Sequence, residues 1–160
     1  SATNSLEPLA VFDRLCIAGQ TDLVSNDVEE ISWRRFPHEL QLMNTYGHDG
    51  HFWRIDEPER TYVAVTMGEG HLHEGTEARC GVASRSLNYD EVVENLSERF
   101  DITPSREIQL AGTRMTMLAS GHLGLTVMGV SGGWVIVRNT SMTIGVPPSG
   151  AEPEKQQDSQ

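Results

Sequence analysis

From Pro37 onward the apolar residues of this chain recur at every second position, in runs separated by glycine or proline. A period of two belongs to strands with one face buried, and it constrains the fold more than any other feature. Residues 61–67 carry it in β-branched form, and 76–87 set Ala78, Cys80, Val82 and Ser84 on one face with Arg79 and Arg85 on the other. Residues 39–44 and 51–56 read as shorter strands joined by the turn-rich Tyr46-Gly47-His48-Asp49-Gly50. Three further strands are expected at 106–118, 123–128 and 134–139, the last extending toward Ile144, with Gly121, Gly124 and the 129–133 glycine cluster at the bends.

Helical spacing occurs in two places. Over 5–18, Ser5 is placed to cap, Glu7 and Pro8 suit a first turn, Leu9, Phe12, Leu15 and Cys16 share a face, and Gly19 stops the run. Over 88–100, Asn88 caps with Glu91 at the capping-box position, and Val92, Val93, Leu96 and Phe100 form one stripe. A helical turn is also expected from Ser25 or Asn26, with Glu29 completing a capping box. The order predicts an α+β domain: a mostly antiparallel sheet of about six to seven strands with two main helices packed on one face. Residues 1–145 read as that single domain, and 146–160, rich in Pro, Gly, Ser, Gln and charge, as a disordered C-terminal tail.

Length and charge narrow the function. At 160 residues there is room for one domain, and a net charge of −11 argues against nucleic acid or an anionic membrane as partner. No apolar run approaches the ~18 residues that a membrane-spanning helix requires. Eleven arginines stand against one lysine, Lys155, so Schiff-base and phosphate-loop lysine chemistry is excluded from the domain. The chain opens Ser1-Ala2-Thr3 without methionine, as after removal of a signal peptide or at the start of an expressed fragment.

Three motifs invite chemistry. Gly129-Val130-Ser131-Gly132-Gly133 has the letters of a nucleophile elbow, which needs a helix after the serine and an acid and a histidine later in the chain. Here strand-forming Val135-Ile136-Val137 follows, no histidine occurs after His122, and a glycine-rich bend explains the letters better. His71-Leu72-His73 with Glu77 has the spacing of two imidazoles and a carboxylate on one extended face, similar to the first histidine motif of the cupins. His48 and His51 form a second pair that would meet the first if their loops lie at one end of the sheet, a set suited to zinc or copper. Gly68, Gly70 and Gly75 around the first pair read more simply as a solvated loop, and no second cupin motif is present. The sequons Asn95-Leu96-Ser97 and Asn139-Thr140-Ser141 are short enough to arise by chance, and Trp33, Trp53, Trp134 and the Met115/Met117 pair suit packing.

Cys16 and Cys80 are the two cysteines, and both sit among apolar neighbours. They are either two buried thiols or one disulfide tying the first helix to a central strand. The even count and the methionine-less start favour the bond, and with it an oxidising compartment.

Phe12-Asp13-Arg14-Leu15-Cys16, together with Cys80-Gly81-Val82-Ala83-Ser84 and the following helix over Tyr89–Phe100, resembles small exported bacterial α+β proteins of unknown function. The resemblance implies a periplasmic or secreted domain and no particular activity. With no nucleophile–base pair evident, the expected function is non-catalytic binding of another protein, as an accessory subunit, inhibitor or recognition module, without a cofactor. The alternatives are a metal-binding protein or metal-dependent cupin-like enzyme using His71, His73, Glu77, His48 and His51, or a carrier of a small apolar ligand.

Overall fold

The computed structural model describes residues 5–20, 23, 25–44, 49–68 and 76–144. Its centre is an eight-stranded, wholly antiparallel sheet. The strands are β1 (Val28–Glu30), β2 (Asp49–Ile55), β3 (Thr61–Gly68), β4 (Thr76–Ser84), β5 (Arg106–Leu110), β6 (Thr113–Ser120), β7 (Leu123–Gly129) and β8 (Val135–Ile144). They lie side by side in the order β1-β2-β3-β4-β8-β7-β6-β5. Two four-stranded meanders, each preceded by a helix, therefore join where β4 meets β8, with Val82 opposite Val137. The α+β class stands; the strand count is eight, because residues 106–118 fold back on themselves at Ala111-Gly112 and β1 is gained where 39–44 is lost as a strand.

The helices are smaller than their sequence pattern suggests. α1 (Pro8–Val11) gives way at once to a π-helical turn, Phe12–Ile17, in which the Ala18 amide reaches back five residues to Asp13 O. That wider turn brings the Cys16 carbonyl to the buried side chain of Asn139, whose Nδ2 donates to it at 2.9 Å. Cys16 itself is bonded to Cys80 of β4, and both are buried. Among the described residues only α2 (Tyr89–Phe100) is a regular helix of length; Asn88 Oδ1 accepts from the Glu91 amide, and Asp101 ends it in the left-handed conformation. So the second of the two expected main helices is present and the first is a short, composite one.

Both helices pack on one face of the sheet. Val11, Phe12, Leu15, Val92 and Leu96 are buried there against Val63, Val65, Val82, Leu118, Val127 and Val137. At roughly 1.5–3 kcal/mol per buried aliphatic or aromatic side chain, this layer is the main source of stability. The opposite face of the first meander has a cover that the sequence pattern did not suggest. The stretch 39–44, expected as a strand, is a 3-10 helix, His38–Met43, which follows another at Trp33–Arg35. A three-residue turn puts Leu40 and Met43 on one side, and both bury with Ile31 and Phe36 against Tyr62, Ala64, Trp134 and Ile136. Leu42, which alternation pairs with Leu40, is instead 42% exposed.

The helical turn expected near Asn26 is also replaced. Ser25 Oγ accepts from the Asp27 amide and its carbonyl from the Val28 amide, which closes a bend, and β1 begins at Val28. Glu29 there pairs with Arg35 and Arg54 rather than completing a capping box.

A candidate binding edge beside α2

The residues singled out for chemistry are not brought together among the described residues. His48, His71 and His73 lie outside them, as does the side chain of Glu77, whose backbone sits on β4 opposite Gly68 and Thr143. His51 is on β2, exposed, with Nδ1 3.1 Å from Glu30 Oε2 and its ring stacked on Trp53. Among the described residues no group of three or more His, Cys, Asp or Glu side chains is placed to hold a metal ion. The tail expected at 146–160 is likewise outside the described residues.

Ser131 occupies a bend. A single 3-10 turn, Ser131–Gly133, links β7 to β8, closed by the Val130 amide donating to Trp134 O. Gly132 and Gly133 take φ values of 84° and 80°, which glycine adopts without strain, and β8 resumes at Val135. Arg85 pins the bend by donating from Nε to Gly132 O at 2.8 Å while its guanidinium lies over the Trp134 ring. A nucleophile elbow needs a helix here, so the serine has a structural setting.

Sequence reasoning passed over the far end of the sheet. β5 is an edge strand, paired to β6 and with no strand on its outer side among the described residues. Leu110 and Thr113 flank a two-residue loop in which Ala111 and Gly112 both have positive φ, the geometry of a tight β-hairpin. In such a hairpin the flanking pair is hydrogen-bonded and the pairs alternate behind it. Leu110, Ile108 and Arg106 thus direct their backbone groups to β6, while the N–H and C=O of Glu107 and Gln109 point outward.

The two faces of this edge differ. Away from α2, Ile108 lies opposite Met115, and Leu110 is 72% exposed, the most exposed large hydrophobic residue among those described. Toward α2, Glu107 borders a groove of about 580 Å³ that runs between the helix and β5–β6, and Gln109, opposite Arg114, lies on the same face of the strand. Asp90, Glu94 and Glu98, spaced at four residues, line the helix side, and Arg114 stands on the sheet side. Arg114 donates from Nε to Glu107 at 2.8 Å and from Nη2 to Asp90 at 3.1 Å, and lies 4.1 Å over the Tyr89 ring. Its hydrogen bond to Glu107 raises its pKa further, so it stays a cation at any working pH. The Tyr89 hydroxyl shares a 2.5 Å hydrogen bond with Thr116, and burial pushes its pKa upward. Gly129 makes room for that ring, since a Cβ there would meet Tyr89 Cδ2 at 3.3 Å. Glu94 and Glu98 have no ionic partner among the described residues. The signals for this site were the four-residue spacing of acids on the helix and the Ala111-Gly112 turn inside a supposed single strand.

No protein-family model matches the chain, and comparison with curated proteins and with solved structures gives no match either.

Proposed function

We propose that this protein works by binding another protein, as an accessory subunit, inhibitor or recognition module, and that it does so at the β5 edge. The observation that supports this reading is the pair of outward-facing backbone groups on Glu107 and Gln109 next to the exposed Leu110. An unpaired strand edge with an apolar side chain on it is a template for a further strand, and proteins that do not use such an edge cover it or shorten it. The other edge, β1, is three residues long, and both of its glutamates are paired, Glu29 with Arg35 and Arg54 and Glu30 with His51.

The proposed setting is the periplasm or the outside of the cell. A buried Cys16–Cys80 disulfide persists where thiols are oxidised, and no described helix is long and apolar enough to cross a membrane. Gln109→Pro tests the edge. The Gln109 N–H points away from β6, so proline there removes no sheet hydrogen bond and blocks only an incoming strand. In the organism that makes the protein, the wild-type chain should retain a partner through purification and the folded Gln109→Pro chain should lose it. Equal retention by both would refute the edge as the binding surface.

A further inference from the structure

The two faces of β5 also specify what kind of strand fits beside it. We infer that the partner segment is an extended stretch in which Lys or Arg alternates with aliphatic residues, added to β5 as a ninth strand. This rests on the reading of the β5 edge given above.

The reasoning follows from the period of two. Side chains of an added strand project alternately to the two faces of the sheet, next to those of β5. On the α2 side they come up beside Gln109 and beside Glu107, which lines the groove across from the helix row of Asp90, Glu94 and Glu98. Four carboxylates and two guanidinium groups line that groove, and Arg114 is already engaged by Asp90 and Glu107. Among the described residues Glu94 and Glu98 are then left facing one unengaged guanidinium, Arg106 at the start of β5, so the remaining charge is negative by one, and a long cationic side chain beside the helix row complements it. On the other face Arg106 stands at the start of β5, and along the rest of it the neighbours are Ile108, Leu110 and the half-buried Met115 and Met117, which call for aliphatic residues. An acidic helix face alone is a solvated face; here the unpaired backbone of Glu107 and Gln109 demands a strand, and the acids select its charge.

A second copy of the chain is the obvious competitor. Paired with itself, β5 would offer Glu107 and Gln109 to the acid-lined side, and each copy brings a net charge of −11. Charge thus favours a basic partner over a like-charged one, in proportion to how little salt is present.

The test uses the full chain and synthetic heptapeptides, with amide exchange read residue by residue. An alternating Lys–Val peptide should slow exchange at Glu107 and Gln109. Its dissociation constant should rise about three- to tenfold in Glu94→Gln/Glu98→Gln, and more in Gln109→Pro, with the fold checked by circular dichroism. A peptide of the same composition with its lysines in one block, and an alternating Glu–Val peptide, should not bind. If the Glu–Val peptide binds as well as the Lys–Val one, the cationic class is wrong while the edge reading survives. If protection of Glu107 and Gln109 in the free protein grows with its concentration, the occupant is a second copy and the inference is overturned. If no alternating peptide of either charge protects those amides and Gln109→Pro changes nothing, both the inference and the edge reading fall.

Discussion

Tyr89 fastens the open end of the sheet to α2: its hydroxyl is bonded to Thr116 of β6, and Arg114 lies over its ring. Burial is the largest influence on its phenol and raises the pKa, with the Thr116 bond and Arg114 opposing. A group whose pKa is higher folded than unfolded holds its proton more tightly in the fold, so its contribution is intact below the unfolded value near 10 and fades as pH rises through the folded one. Phenolate absorbance titration should show a component ionising above the ordinary range, and Tyr89→Phe should remove it together with part of the alkaline loss of stability. Asn139 carries more of the structure. It is 5% exposed, donates to Cys16 O, and its Oδ1 accepts from both N and Oγ of Ser141. Asn139→Ala strands buried polar groups on both sides and should cost roughly 2–4 kcal/mol in denaturant unfolding. The sequence pattern showed a glycosylation sequon at this residue; with Nδ2 engaged inside the fold, the folded chain has no free amide there to modify.

At the level of elements, what could be read beforehand depended on whether a local signal was also the one tertiary packing used. α2 was legible because its Asn88 cap and its Val92/Leu96 stripe are both realised. Residues 61–67, and 76–87 as far as Ser84, were legible because alternation matched a half-buried sheet. Residues 39–44 were not, since Leu40-Gln41-Leu42-Met43 satisfies a period of two and a period of three alike, and burial against the outer core chose three. The hairpin within 106–118 was hidden because Ala111 is not an obvious turn residue, although Gly112 is. Among the candidate ligands only His51 could be located by its side chain, and its partner proved to be Glu30. The contrast between neighbouring β5 positions is a further expectation: Ile108→Pro removes a hydrogen bond to β6 and should lower the unfolding midpoint clearly, whereas Gln109→Pro should leave it nearly unchanged.

For the molecule as a whole, two helix-plus-meander halves meet at β4 and β8, and the disulfide ties the first half's helix to that seam. The closed loop spans 64 residues, for which chain entropy gives a stabilisation of about 4 kcal/mol. The Cys16→Ala/Cys80→Ala chain should lose about that much, and thiol titration of denatured wild-type protein should find no free thiol until reductant is added. A free thiol in unreduced protein would undercut the oxidising compartment. The binding reading depends on the outer edge of the second half, where β5 offers its backbone to a partner. Residue-resolved amide exchange of the free protein at low concentration tests this most directly. Glu107 and Gln109 should exchange at rates close to those of an open chain, while Ile108 and Leu110, bonded to β6, are protected; equal protection of all four, or the reverse pattern, would contradict an open edge.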